Sequence, residues 1–194
     1  IYDTRKQMGE NAAEEAAIYL KNLLSKQEQV NIIFAAAPSQ NEFLESLAIT
    51  PGIEWKRINA LHMDEYIGLD KNAPQGFGNF LKDRIFDKVP FKSVNYLDGQ
   101  DPDPVRACKA YEKVLSEFPV DIVFMGIGEN GHIAFNDPHV ADFNDTKGVK
   151  IVDLDDKCRH QQVNDGCFKY IDEVPTHALT LTIPALLKAT RIFC

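Results

Sequence analysis

The sequence predicts an α/β fold, with an open, mostly parallel sheet and helices on both of its faces. Segments with helical and with strand periodicity alternate along the chain, as expected for strands joined by crossover helices. Two short segments of mostly apolar residues, 30–35 and 120–125, are typical of buried strands. No internal repeat, low-complexity tract or linker interrupts the alternation, so residues 1–194 are expected to form a single domain.

The individual elements follow from apolar spacing and from capping residues. Apolar residues at helical spacing from Ala13 to Leu24 predict the first helix. Asp103 followed by Pro104 predicts another helix start, and Ser39 is the expected cap of a short helix. The predicted helices are residues 13–24, 41–47, 77–85, 103–118 and 155–163, and the predicted strands are residues 30–35, 55–62, 94–97, 120–125, 149–154, 178–182 and 191–193.

Composition limits the class of partner. The chain has 29 acidic and 21 basic side chains and a formal net charge of -8, which argues against nucleic acid or an anionic membrane, because both attract basic surfaces. No apolar run approaches the roughly 20 residues of a membrane span.

The four cysteines include no C-x-x-C pair, which favours free thiols in a reducing compartment over a disulfide framework or a zinc site. We therefore expect a cytoplasmic protein with no bound metal.

Three polar clusters follow predicted strands and are expected to form one site. Residues 38–40 follow the first strand, Asp64 and Glu65 follow the second, and residues 126–132 follow the strand at 120–125. Ligands of open α/β sheets bind beyond the carboxyl ends of the strands, where these clusters would meet although they are distant in sequence.

The glycine-rich segment 126–132 ends at His132, with Asp137 five residues later. Glycines such as Gly128 and Gly131 permit positive φ angles and a close approach of backbone to ligand. A histidine near a carboxylate can transfer protons, since the carboxylate fixes the imidazole tautomer. The alternative is a glycine turn beside a structural histidine. Dinucleotide binding is disfavoured, because no capped helix or ribose-binding acid follows the glycines.

Asp64 is the second candidate for proton transfer. A carboxylate at a strand end that faces a partly dry crevice has its pKa raised and can serve as a base. The alternative is a turn or capping aspartate. Glu65 beside it is suited either to substrate binding or to a structural hydrogen bond.

Two segments carry a resemblance to a known family. Residues 63–69 (MDEYIGL) and 126–138 (GIGENGHIAFNDP) resemble the signature segments of glucosamine-6-phosphate deaminases, and residues 174–180 (VPTHALT) are similar to a third family segment. The resemblance extends from the first predicted strand to the last residue. It implies a Rossmann-like sheet and conversion of an amino sugar 6-phosphate to the ketose phosphate and ammonia, without metal or organic cofactor.

The resemblance also implies roles for matching residues. Asp64 would move the proton from C2 to C1 through an enediol-type intermediate, and His132 would open the sugar ring with help from Asp137 and Asn130. Ser39, Gln40, Glu65, Gly128 and Gly131 would contact the substrate. The expected ligand is a small amino sugar phosphate, and the expected assembly is a homo-oligomer. A lysine-bearing phosphate loop would follow Cys194, so we expect the chain to be part of a longer polypeptide that lacks its C-terminal part here.

The chain departs from the family pattern at several positions. Many members have aspartate where this chain has Asn130, and glutamate is usual where it has Asp137. The loop after the first strand, residues 35–41 (AAAPSQN), lacks the glycines and threonines that hold phosphate in the family. The phosphate-binding arginine has no aligned counterpart, and Arg159 is the arginine of that region. The proton-transfer residues are therefore better represented than the phosphate site.

Two other functions fit the same resemblance. Sugar-phosphate lactonases of this fold usually have an arginine after the Asp-Glu pair and threonine after the histidine, whereas this chain has Tyr66 and Ile133. Similar domains also serve as non-catalytic sugar-phosphate sensors in transcription regulators. The presence of both Asp64 and His132 favours an enzyme, and fold alone does not decide function.

Overall fold

The computed structural model describes residues 1–194 and confirms the predicted α/β fold. Five parallel strands form the main sheet in the order β4-β2-β1-β5-β8. The strands are β1 Val30–Phe34, β2 Ile58–His62, β3 Asp64–Tyr66, β4 Ser93–Asn95, β5 Ile122–Phe124, β6 Val149–Asp153, β7 His177–Leu181 and β8 Arg191–Phe193. The helices are α1 Arg5–Leu24, α2 Asn41–Ile49, α3 Phe77–Leu81, α4 Pro104–Glu117, α5 Asp156–Asn164 and α6 Ile183–Leu187.

Strand β1 lies at the centre of the main sheet and is buried on both faces. Its neighbours are β2, with Phe34 opposite His62, and β5, with Phe34 opposite Phe124. Because side chains alternate along a strand, Phe34 packs with α1 and α2, whereas Ile33 packs on the opposite face with residues of α4. This unbroken burial explains why the apolar run was recognisable in the sequence.

A second, antiparallel sheet of three strands, β3-β7-β6, was not distinguished in the sequence. Asp64 was expected to follow a strand, but it begins β3 and pairs with Thr180 of β7. Only Met63 separates β2 from β3, so the chain passes from one sheet to the other without a turn that the sequence would mark. The carboxylate of Asp64 is thereby fixed to regular structure at the junction of the two sheets.

Two other predictions differ locally from the structure, and one is confirmed. Ser39 does not cap a helix: it lies within a 3-10 helix, Pro38–Gln40, that leads directly into α2, whose first residue is preceded by Gln40 without a side-chain cap. The helix predicted at 77–85 continues beyond α3 as a π-helical turn, Lys82–Phe86. The expected cap at Asp103 is confirmed, since its carboxylate accepts hydrogen bonds from the amides of Val105 and Arg106. None of the helices is long and apolar enough to span a membrane.

Candidate active site

A cavity of about 550 Å³ lies at the carboxyl ends of β1, β2 and β5. As predicted from the strand order, it is bordered by the segments that follow these three strands, namely residues 35–39, residues 63–64 and residues 126–128. Its remaining walls come from α3 and the π-helical turn, from the loop around Ala134, and from α5 and the residues after it. The cavity has room for a small phosphorylated sugar.

Asp64 lies on the wall of this cavity with 7% of its surface exposed. Its carboxylate makes no hydrogen bond or ion pair within the protein. Burial, and secondarily the charge of Glu65, raise the pKa of Asp64 well above the ordinary carboxyl value. A carboxylate that is buried, unpaired and in contact with a cavity is suited to accept and return a proton.

The buried His62 braces the backbone of Asp64. Its Nε2 accepts the amide proton of Leu97 at 2.9 Å, so the ring proton is on Nδ1 and is donated to the carbonyl of Asp64 at 3.0 Å. Burial lowers the pKa of His62 to about 4, which keeps the ring neutral. This support was not predicted, because a histidine inside a buried strand carries no distinguishing sequence signal.

His132 also lines the cavity, and its ring is held from behind. Nδ1 lies 2.6 Å from Oδ1 of Asn130 and 3.3 Å from Oδ1 of Asp137. Both neighbours are acceptors, so Nδ1 carries the proton and Nε2 remains available for proton exchange with a ligand. The predicted histidine–carboxylate pair is therefore present in space as well as in sequence.

Asp137 is fully buried behind His132. Burial by itself would raise the pKa of Asp137, but hydrogen bonds from His132, from the Asn130 amide and from the backbone of Asp155 outweigh it and leave the pKa below its usual value. The carboxylate is therefore ionised at neutral pH and faces Nδ1 of His132 as an acceptor.

Asn130 orients these groups rather than exchanging protons. Its amide nitrogen donates to Asp137 at 2.9 Å and to Asp155 at 3.1 Å, while its oxygen accepts from the ring and the backbone of His132. Asp155 was not predicted as part of this network. An aspartate at position 130 would be a third carboxylate between Asp137 and Asp155, so the amide suits this chain.

The glycine loop is required for different reasons at different positions. Gly131 has a φ of 87°, which favours glycine, and it does not line the cavity. Gly128 lines the cavity, and a Cβ at this position would meet the His132 ring at 2.2 Å from Cε1. Gly128 thus provides the space in which the imidazole lies. Ala134, also in the cavity wall, has a φ of 49°, a strained value of the kind that clusters at functional sites.

The predicted substrate-binding residues divide into two groups. Ser39 and Gly128 line the cavity, whereas Gln40, Glu65 and Gly131 do not. The carboxylate of Glu65 accepts the backbone amides of Tyr66, Phe77 and Gly78 at 2.9–3.1 Å and thereby ties β3 to the start of α3. Glu65 therefore makes structural hydrogen bonds, which was the alternative to substrate binding.

Several lining residues had not been singled out as functional. Phe77 and Phe80 fit the apolar face of the predicted helix, and Arg84 on the same helix was assigned no role. The arginine that had been considered, Arg159, does not line the cavity. Its Nη2 donates to the carbonyls of Ile171 and Val174, so it fastens α5 to the following turn.

Two groups of side chains bring potential metal ligands within 4.8 Å of one another: His132, Asp137 and Cys158, and Asp137, His139 and Asp155. Asp137 belongs to both groups, and its two oxygens already accept hydrogen bonds from Asn130 and the backbone of Asp155. The hydrogen bonds to Asp137 explain why these side chains lie close together.

Comparisons with known proteins agree on one family. A profile of the glucosamine-6-phosphate isomerases/6-phosphogluconolactonase family matches residues 3–194. A glucosamine-6-phosphate deaminase of an Exiguobacterium species is 38% identical over 140 residues, covering 72% of this chain and 53% of the relative. A glucosamine-6-phosphate deaminase of Listeria monocytogenes is 34% identical over 164 residues, covering 84% of this chain and 68% of the relative. The chain thus spans between about half and two thirds of the length of these relatives.

The solved structures show the same fold. A monomeric glucosamine-6-phosphate deaminase superposes with a TM-score of 0.86 at 26% identity, covering 98% of this chain and 78% of that protein. A 6-phosphogluconolactonase from Thermotoga maritima superposes with a TM-score of 0.74 at 22% identity, covering 95% of this chain and 77% of that protein. The second likeness concerns the fold alone.

Proposed function

The chain belongs to the family of glucosamine-6-phosphate isomerases and 6-phosphogluconolactonases, and from this membership and the cavity we propose that it is an amino-sugar phosphate isomerase/deaminase. The substrate would be glucosamine 6-phosphate or its galacto epimer, and the products a ketose 6-phosphate and ammonia. The single observation that carries the proposal is a cavity that holds both an unpaired, buried carboxylate, Asp64, and an imidazole, His132, braced by Asn130 and Asp137.

Ring opening is the first step. His132 takes the proton of the anomeric hydroxyl through Nε2 and delivers it to the ring oxygen as the bond between C1 and that oxygen breaks, while Nδ1 stays hydrogen-bonded to Asn130 beside Asp137. The negative charge of Asp137 stabilises the imidazolium whenever the ring holds both protons. The product of this step is the open-chain amino aldose.

Isomerisation and loss of ammonia follow. The Asp64 carboxylate removes the proton from C2 and returns it to C1, while O1 gains the proton that the ammonium group at C2 gives up. The enediol-type intermediate thereby becomes a C2 iminium, which water converts to the ketose and ammonia. A single carboxylate over two adjacent carbons is sufficient for this transfer. The raised pKa of Asp64 favours it, since a stronger base abstracts a carbon-bound proton more readily.

The two alternative functions, a sugar-phosphate lactonase and a non-catalytic sensor, explain the unpaired carboxylate of Asp64 less well. Lactone hydrolysis needs an activated water but no base for a carbon-bound proton, and the lactonase likeness is limited to the fold. A sugar-phosphate sensor needs no proton transfer, and an unpaired buried carboxylate lowers the stability of the folded protein. Such a cost is typical of catalytic groups.

The setting of the enzyme also belongs to the proposal. Cys108, Cys158, Cys167 and Cys194 are all free thiols, which supports a reducing compartment such as the cytoplasm. The homo-oligomer stays a prediction, and one structural neighbour is described as monomeric.

The test uses the full-length protein with glucosamine 6-phosphate and galactosamine 6-phosphate, measuring ammonia and ketose. We expect both products from at least one epimer and a rate decrease of at least about 100-fold in Asp64→Asn, because an amide cannot act as a base. Absence of product from both epimers would rule out the deaminase. Equal rates for wild type and Asp64→Asn would remove Asp64 from the mechanism.

A further inference from the structure

We propose that Arg84 is the anion-binding residue of the cavity and holds the substrate phosphate, together with the side chains of Ser39 and Asn41. The assignment rests on the proposed function for the identity of the anion, but the structural observations stand independently. Of the residues that line the cavity, Arg84 is the only arginine or lysine.

The guanidinium of Arg84 is positioned but not neutralised. Nε donates to Oδ1 of Asn41 at 2.6 Å, Nη1 approaches the carbonyl of Phe80 at 3.4 Å, and Cζ lies 3.7 Å above the Phe80 ring. No carboxylate forms an ion pair with it, whereas Arg5, which also contacts the start of α2, is paired with Glu42. A half-buried arginine with a fixed orientation and no counter-ion is suited to bind an anionic ligand.

Unused hydrogen-bond donors are grouped around this guanidinium. Arginine has five N–H donors, and both N–H groups of Nη2 lack a partner in the protein. The hydroxyl of Ser39 and the amide nitrogen of Asn41 also make no hydrogen bond within the protein, and both residues line the cavity. Together these donors match the acceptor oxygens of a phosphate.

The backbone around Arg84 supports a functional role. Arg84 lies in the π-helical turn Lys82–Phe86, and such turns occur frequently at functional sites because they redirect side chains from the regular helical spacing. The neighbouring acid at the start of α2, Glu42, is bound by Arg5 at 2.9 Å and lines a different pocket. Glu42 is therefore not available to neutralise Arg84.

Arg84 and the proton-transfer residues occupy different parts of the cavity. Arg84 borders the cavity from the π-helical turn Lys82–Phe86, whereas Asp64 borders it from β3, at the junction of the two sheets. A sugar phosphate can therefore place its phosphate at Arg84 and its C1 and C2 at Asp64. This arrangement would replace the phosphate contacts that the family makes through an arginine, which has no aligned counterpart here, and through loop glycines and threonines, which residues 35–41 lack.

The test compares Arg84→Gln and Arg84→Lys with the matched control Lys82→Gln, which removes one positive charge from an exposed position of the same π-helical turn. Kinetics on glucosamine 6-phosphate and calorimetric titration with inorganic phosphate are measured on the full-length protein, and circular dichroism checks folding. We expect Arg84→Gln to raise KM by about 10- to 100-fold and to weaken phosphate binding similarly, as for loss of a charge-assisted hydrogen bond. The KM and the phosphate affinity of Arg84→Lys should lie between those of wild type and Arg84→Gln. Both values should match wild type in Lys82→Gln.

The outcomes separate this proposal from the proposed function. A wild-type enzyme that is active while Arg84→Gln keeps its KM and phosphate affinity would overturn the role of Arg84 and leave the deaminase intact. A wild-type protein that binds phosphate through Arg84 but releases no ammonia would refute the deaminase and leave the anion site. If Arg84→Gln does not fold, an unchanged KM and phosphate affinity in Arg84→Lys would overturn the proposal. A wild-type protein that binds neither phosphate nor the sugar phosphate would overturn it as well.

Discussion

Replacing Gly128 with alanine should lower the proposed deaminase activity by moving a single ring. A Cβ at this position would lie 2.2 Å from Cε1, 2.4 Å from Nε2 and 2.6 Å from Nδ1 of His132. Ordinary contact begins at 3.4 Å, so Cε1 has to retreat from 2.2 to 3.4 Å, a displacement of about 1.2 Å. The ring is tied to Asn130 through a 2.6 Å hydrogen bond, so this retreat stretches the bond or tilts the ring.

The expected consequence is a decrease in kcat of about 100-fold, since a displacement of this size at a catalytic group costs on the order of 3 kcal/mol in the barrier. The fold should survive, because a histidine side chain can rotate and the φ of Gly128 lies outside the left-handed region. The assay is ammonia release from glucosamine 6-phosphate, with a thermal melt on the same samples.

Gly126→Ala is the matched control for this experiment. Gly126 lies in the same loop and lines the same cavity, but a Cβ there would meet only Nε2 of Gln40 at 3.8 Å, an ordinary contact. We expect Gly126→Ala to retain much more activity than Gly128→Ala at similar melting temperatures. Equal kcat values for the two variants would refute the role assigned to the position of the His132 ring.

Two further predictions concern charge in the cavity. Because burial raises the pKa of Asp64, the native protein binds its proton more tightly than the unfolded chain does, and ionisation lowers stability as pH rises above the ordinary carboxyl value. Asp64→Asn should therefore melt at a higher temperature than wild type at pH 8, by about 2–4 °C for each kcal/mol gained in the free energy of unfolding, and the difference should be smaller at pH 5. A variant that melts at a lower temperature than wild type at both pH values would contradict the raised pKa. Asn130→Asp should melt several degrees lower at pH 8, and less so at pH 5, because it places a third carboxylate between Asp137 and Asp155 and removes two donors. Unchanged thermal melts would show that the amide does not hold this network together.

The sequence predicted the main sheet well, because β1 and β5 are mostly apolar and are buried on both sides. It did not reveal the second sheet. Strand β3 has only three residues and follows β2 after a single residue, so it shows neither periodicity nor a turn signal. Its pairing with β7 depends on a contact between residues more than 100 positions apart in sequence.

The part of the candidate site that could be predicted is the part formed by residues close together in the sequence. His132, Asn130 and Asp137 lie within eight residues, and their mutual contacts follow from one loop. Arg84 was missed because its importance arises from a π-helical turn and from a hydrogen bond to Asn41, 43 positions earlier. Neither feature leaves a mark in composition or spacing.

The transfer of a proton from C2 to C1 by Asp64 is most directly tested with glucosamine 6-phosphate deuterated at C2. The full-length enzyme should show a primary isotope effect on ammonia release and deliver part of the deuterium to C1 of the ketose, because a single carboxylate removes and returns it. Asp64→Asn should bind the substrate but neither release ammonia nor transfer deuterium to C1. Product formed with no isotope effect and no deuterium at C1, or an unaltered reaction in Asp64→Asn, would contradict the mechanism.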